Sequence, residues 1–358
     1  MSKVHNYSAG PCILPPEVMR KASQSVIELD GIGLSLIEIS HRSKEFVAIM
    51  EKARGLVREL LNVPDNYSVL FLQGGASLGF YMSAINFMKN EGGKGAYVDT
   101  GSWSNKAMKE AALLGEVIET ASSKADNYTH IPKGYTVPDD ADYFHITSNN
   151  TIFGTQFKSF PESKVPMLCD MSSDIFSKPV DVSKFDLIYA GAQKNMGPAG
   201  TTVYIVNKDA LGKTGRKIPS MLDLAVHDSK DSMFNTPPVF SVYVSMLTLE
   251  WMKSLGGLEA MQKRNEEKAA LLYNEIDRNP LFEGTTAAED RSTMNATFVL
   301  KDEAAHKERF DKMWNDARIS GLKGHRSVGG YRASMYNALP LESVAVLTDV
   351  MKELERTA

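Results

Sequence analysis

Cysteine is almost absent from this chain of 358 residues, which carries only Cys12 and Cys169. Two thiols, one of them inside an apolar run, make no disulfide framework and fit a reducing compartment. Long hydrophobic runs are missing too. Nothing reaches the roughly 20 apolar residues that cross a bilayer, and the opening Met1-Ser2-Lys3-Val4-His5-Asn6-Tyr7 has no apolar signal region. A cytoplasmic protein without membrane attachment is expected. Neither charge is in large excess: 40 Lys and Arg against 44 Asp and Glu give a net charge of −4. That leaves no electrostatic footprint for nucleic acid and assigns local basic clusters to smaller anions. Repeats, low-complexity tracts and long linkers are also absent. What remains is a globular enzyme or binding protein, and no metal-ligating set is expected.

Its composition, 43% apolar and 23% charged, is that of an ordinary globular protein. The length exceeds one compact core and implies two domains. Strand-like apolar runs at 67–72, 95–98, 142–147, 165–168, 185–189 and 201–206 alternate with helical patterns at 77–89 and 104–114. Such alternation predicts an α/β fold with a large, mainly parallel sheet covered on both faces. A long helical region over 237–279 is broken at Gly256-Gly257. Beyond it, strand 296–300, helix 304–320, strand 331–336 and helix 341–356 predict a smaller α/β domain. The expected division is an N-terminal segment 1–15 packed near the small domain, a large domain 16–260 and a small domain 261–358.

Two strand ends carry the first chemistry. Asp170 follows the apolar run 165–168, and Lys194 follows 185–189, twenty-four residues on. Strand ends in open α/β sheets hold ligands. A carboxylate and a lysine delivered to one cleft suit pyridoxal 5′-phosphate: the lysine forms a Schiff base and the aspartate keeps a proton on the pyridine nitrogen. Alone, the pair also reads as solvated loop charge. Gln73-Gly74-Gly75-Ala76-Ser77 joins the first strand to a helix. By itself it is either a plain turn or a phosphate cup formed by free N–H groups at a helix start. Upstream of the Asp and Lys it becomes the cup for the cofactor phosphate. Trp103, on a glycine-containing loop after a strand, reads equally as a ring-stacking residue or a core anchor. Basic residues form a second theme. His41-Arg42 precedes a helix that Ser43 caps, and His325-Arg326, with Arg332, lies in the glycine-rich stretch 324–332. Read as surface charge they are unremarked, but they use two of the seven histidines, and guanidinium forks bind carboxylate and phosphate.

Together with Ser8-Ala9-Gly10-Pro11, Ser40-His41-Arg42, Ser148-Asn149-Asn150-Thr151-Ile152, Cys169-Asp170-Met171-Ser172-Ser173, Ala190-Gly191-Ala192-Gln193-Lys194-Asn195 and Phe234-Asn235-Thr236-Pro237-Pro238, these motifs resemble the phosphoserine aminotransferase family. The resemblance runs from residue 5 to the last helix with the order of motifs intact. It implies a class-V, fold-type I transferase dependent on pyridoxal 5′-phosphate and acting as a homodimer with active sites at the interface. By the same resemblance, Ala76 and Ser77 bind the cofactor phosphate, Trp103 stacks on the ring, and Thr151 contacts the 3′-oxygen side. Asp170 pairs with the ring nitrogen, Gln193 also meets the phosphate, and Lys194 is the Schiff-base lysine. Asn235 and Thr236 reach the phosphate of the partner subunit's cofactor. Arg332 holds the substrate α-carboxylate, while His325 and Arg326, with His41 and Arg42 across the interface, hold the distal phosphate. The implied reaction moves the amino group of L-glutamate to 3-phosphohydroxypyruvate, giving O-phospho-L-serine and 2-oxoglutarate in serine biosynthesis. The homologous four-carbon substrate of pyridoxine biosynthesis, giving 4-phosphohydroxythreonine, has the same anionic ends.

Rival readings are separable by residue. A cysteine desulfurase needs a thiol on a loop after the lysine, and no cysteine follows Cys169. An aminotransferase for alanine, serine or glyoxylate would leave the His-Arg pairs without an anion. A cofactor-free α/β binding protein would make Lys194 and Asp170 incidental.

Overall fold

The computed structural model describes residues 4–358; residues 1–3 of the expected N-terminal segment lie outside the described residues. The chain opens with strand β1 (His5–Asn6) and helices α1 (Pro16–Ile27) and α2 (Lys44–Leu61). It then alternates through β2 (Tyr67–Leu72), α3 (Gly75–Phe87), β3 (Lys94–Asp99), α4 (Ser102–Ala111), β4 (Glu116–Ser122) and β5 (Tyr143–Thr147). A hairpin of β6 (Asn149–Asn150) and β7 (Thr155–Gln156) precedes β8 (Met167–Asp170), β9 (Leu187–Gly191) and β10 (Thr202–Asn207). Helices α5 (Leu224–Asp228), α6 (Val239–Ser254) and α7 (Gly257–Arg278) lead to β11 (Phe282–Gly284) and β12 (Asn295–Leu300). The chain finishes with α8 (Glu303–Asp316), β13 (Ile319–Ser320), β14 (Tyr331–Ser334) and α9 (Leu341–Thr357).

Among the described residues, β2-β10-β9-β8-β5-β3-β4 form one seven-stranded sheet in that order. β10 is antiparallel to both its neighbours, while the pairs from β9 to β4 are parallel. The expected mainly parallel α/β architecture is therefore what the structure has. Its central strands are apolar throughout because both faces are covered. Val69, Phe71, Phe144, Ile146, Cys169 and Ile188 pack on one side against α2 and α6 residues such as Phe46, Met50 and Val242. Their neighbours in sequence, Leu70, Leu72, Tyr143, Leu168 and Tyr189, pack on the other side with Phe80 of α3 and Ala107 of α4. A second sheet, β11-β12-β14, is antiparallel and shares a core with α7, α8 and α9.

Ser43 caps α2, accepting from Phe46 N–H. Elsewhere the expected boundaries need correction. The helix expected over 304–320 stops at Asp316. Arg318 turns the chain at φ 60°, and Ile319–Ser320 becomes a strand parallel to β1. Strand pairing with the N-terminal segment outweighs helix propensity there. The strand expected over 331–336 ends at Ser334. Just beyond it, the carbonyls of Met335 and Tyr336 are taken by the buried Lys268 amine at 2.8 Å each. Trp103 lies in the first turn of α4 rather than on a loop. β4 had no apolar signature because its residues are only half-buried at the sheet edge.

Gly79 on α3 allows the helix to approach β9, since a Cβ there would stand 2.6 Å from the Tyr189 ring. Gly79→Ala should cost about 1–3 kcal/mol by overpacking. Gly55→Ala, on α2 with nothing within 4 Å of the new Cβ, should gain about 1 kcal/mol from helix propensity. Urea unfolding of the two variants measures both signs, and equal effects would contradict the close packing of α3 on β9.

Candidate active site

Parallel pairing sets the C-terminal ends of β5, β8 and β9 side by side. Asp170 ends β8 and Lys194 follows β9. Because Leu168 faces the α3 and α4 side and strand side chains alternate, Asp170 is delivered to that same side. There a cavity of about 270 Å³ is lined by Gly74, Gly75, Ala76, Ser77, Trp103, Thr151, Asp170, Gln193 and Lys194, with Phe80, Thr147, Asn149, Ser172 and Ser173.

Each wall has a distinct character. Gly74 is the N-cap of α3 and offers no side-chain cap, and the first turn carries no acidic residue. Its leading N–H groups therefore lack intrahelical acceptors at the positive end of the helix dipole. Asp170 is almost wholly buried. Ser172 N–H and Ser172 Oγ both donate to Asp170 Oδ1, at 2.9 and 2.6 Å, leaving Oδ2 to the cavity. Burial raises the Asp170 carboxyl above the ordinary range, opposed by the Ser172 donors and by Lys194. Lys194 Nζ donates to Thr151 Oγ1 at 2.7 Å and lies 5.7 Å from the centroid of Trp103. Its amine is lowered to about 8, chiefly by desolvation, with Asp170 opposing and Arg332 assisting. Trp103 Nε1 is buried with no hydrogen-bond partner.

The backbone behind Lys194 is braced by the N-terminal segment. Cys12 N–H donates to Gln193 O at 3.1 Å, and Cys12 Sγ reaches Lys194 O. Gly10 holds φ +132°, and a Cβ there would lie 3.3 Å from Lys194 Cγ. Arg332, on β14, has a buried Nε without a partner, and burial lowers its guanidinium. His325 is held below the usual imidazole range by burial, Arg332, Arg326 and Lys106, in that order. Asn235 and Thr236 are exposed and do not line the cavity. Gln73 Nε2 does donate to Thr236 O at 2.6 Å. His41 and Arg42 lie on the loop before α2 and likewise do not line it.

The family model for Aminotransferase class-V matches residues 4–347. The chain belongs to the class-V aminotransferases. It is similar to a phosphoserine aminotransferase of Flavobacterium psychrophilum, 66% identical over 354 residues covering 99% of each chain. A solved phosphoserine aminotransferase from Bacillus circulans subsp. alkalophilus superposes with TM-score 0.96 at 44% identity, over 99% of each chain. The pyridoxal-phosphate-bound phosphoserine aminotransferase from Trichomonas vaginalis does so with TM-score 0.92 at 36% identity, over 98% of this chain and all of that one. This aminotransferase is thus a pyridoxal-phosphate enzyme of fold-type I.

The cavity fits that cofactor on its own chemistry. The uncapped α3 start suits a phosphate, the free Asp170 Oδ2 suits a ring N–H, and the Trp103 face suits a flat ring. Ser172 was not singled out from the sequence, although the Asp-x-Ser spacing is a local hydrogen-bonding signal. Its hydroxyl also accepts from Gly191 N–H at 3.1 Å, tying Asp170 to the end of β9. Asn149 was missed for a different reason. It donates to Ser173 Oγ and Asn295 Oδ1, and accepts from Ser292 Oγ, all contacts remote in sequence.

In the cofactor-free aminotransferase, Lys194 titrates at about 8 when folded and near its ordinary 10.5 when unfolded. Between those values the unfolded chain binds the extra proton, so stability rises with pH across the window. Below it, charging Lys194 costs the fold on the order of 1–3 kcal/mol, discounted because one side faces the cavity. Lys194→Met without cofactor should therefore be more stable than wild type at about pH 7, with the gap shrinking as pH rises above about 8 and nearly gone at about 10.5. Urea melts at both pH values measure it; a pH-independent gap would contradict the lowered amine.

Proposed function

We propose that this aminotransferase moves the amino group of L-glutamate to 3-phosphohydroxypyruvate, giving O-phospho-L-serine and 2-oxoglutarate. The carrying observation is the buried, partnerless Nε of Arg332, whose charge is felt at Lys194 and at His325, as is that of Arg326 at His325, although none of the three lines the cavity itself. A neutral small substrate would leave that set unpaired, whereas a carboxylate with a second anion satisfies it. The relatives' name, phosphoserine aminotransferase, supports the same substrate class.

Bound at this site, pyridoxal 5′-phosphate supplies an electron sink for the pair left when the substrate Cα loses its proton, and it carries the amino group between the two substrates. Lys194 is the base that takes and returns the Cα proton. An amine near 8 is free enough to accept one near neutrality and acidic enough to give it back. Thr151 orients that amine through its hydroxyl. Asp170, fixed by Ser172, presents a carboxylate where the ring nitrogen holds its proton. The first turn of α3, through Ala76 and Ser77, and the side chain of Gln193 hold the cofactor phosphate. Trp103 closes one face against water. Arg332 binds the α-carboxylate as a fork, and His325 and Arg326 hold the distal anion.

The same reading makes the working form a homodimer. His41 and Arg42 of the partner subunit complete the distal-anion site, and Asn235 and Thr236 serve the neighbouring cofactor. Guanidinium forks accept γ-carboxylate and phosphate alike, so one pocket serves both substrates. A four-carbon phosphorylated keto acid has the same two ends.

Purified enzyme should be yellow, lose that absorbance with glutamate and regain it with 3-phosphohydroxypyruvate. A spectrum restored as well by unphosphorylated hydroxypyruvate would overturn the substrate reading. Lys194→Ala should abolish turnover. Arg42→Ala should raise KM for the phosphorylated keto acid about ten-fold or more; unchanged kinetics would remove Arg42 from the site.

A further inference from the structure

Helix α4 starts at the cavity with Trp103 in its first turn, and Lys106 lies three residues on, on the same face. Lys106 Nζ sits 4.4 Å from the Trp103 centroid, and Lys194 Nζ sits 5.7 Å from that same centroid. The two amines are therefore at most about 10 Å apart. A ring face does not use up an ammonium group, which has three N–H donors and no acceptor.

Lys106 is exposed and does not itself line the cavity, but the Trp103 ring it lies over does. The charge of Lys106 is also felt by His325, together with those of Arg332 and Arg326, so all four groups share one anion-attracting field.

We propose that Lys106 is a further specificity-determining residue, whose ammonium group reaches from the Trp103 face to bind the distal phosphate alongside His325 and Arg326. The assignment rests on the substrate reading above. It adds one more cation from this chain to His325 and Arg326, besides those the partner subunit brings.

Inorganic phosphate is the probe, titrated into the holoenzyme by calorimetry. Lys106→Gln should weaken its binding about five-fold, the upper end for one exposed ion pair. Lys106→Arg should restore it, and the difference should shrink as salt is raised. Lys109→Gln, an exposed lysine on the same helix, should bind phosphate as wild type does. In turnover, Lys106→Gln should raise KM for the phosphorylated keto acid by a similar factor, and by less for glutamate, whose distal anion carries one charge. Equal phosphate affinity in Lys106→Gln and wild type, or an equal loss in Lys109→Gln, overturns the inference. Lys106-dependent phosphate binding in an enzyme that ignores phosphorylated keto acids would instead sink the substrate reading and leave Lys106 as an anion ligand.

Discussion

The desolvation of one amine organises this protein. Lys194 is surrounded closely enough that its charged form is disfavoured, and the groups around it divide by how they meet that cost. Asp170 favours the charge from the floor of the cavity, Thr151 accepts a hydrogen bond, and Arg332 disfavours the charge from the second sheet. The resulting amine, lowered to about 8, titrates close to neutral pH. Asp170 faces the mirror problem. Its carboxylate is buried, and two donors from Ser172 together with the charge of Lys194 oppose that cost.

These groups come from separate strand ends because a parallel sheet gathers its C-terminal edges in one place. Buried polar groups join the second sheet to that edge, with Lys268 anchoring the segment that follows β14. Asn337 N–H donates to Asn195 Oδ1, Asn265 Nδ2 donates to Asn337 Oδ1, and Lys268 binds the carbonyls of Met335 and Tyr336. Burial lowers the Lys268 amine to about 7. Buried hydrogen bonds of this kind are costly to break, so they restrain the position of Arg332 relative to Lys194.

Much of this was legible in residues whose signals are local. The apolar strands, the cap at Ser43, the break at Gly256-Gly257 and the Gly-Gly-Ala-Ser turn each depend on neighbours within a few positions. The cavity residues from Ala76 to Lys194 were readable for the same reason, since strand-end placement follows from the run that precedes it. What escaped depends on partners far along the chain. No local pattern says that Ile319 and Ser320 leave a helix to pair with His5 and Asn6, or that Asn149 reaches Ser292 and Asn295. Lys106 escaped because an exposed lysine on a helix looks like solubility until the ring beneath it is seen to wall a cavity.

The N-terminal segment has a temporal consequence. Residues 5–12 clasp β13 with one end and the Gln193–Lys194 backbone with the other, and Tyr336 OH donates to Ala9 O on the way. The segment thus finds partners 182 and 327 residues further along the chain. Contacts this distant in sequence form late. The wall behind Lys194 and the strand pairing that anchors its other end are therefore completed late in folding.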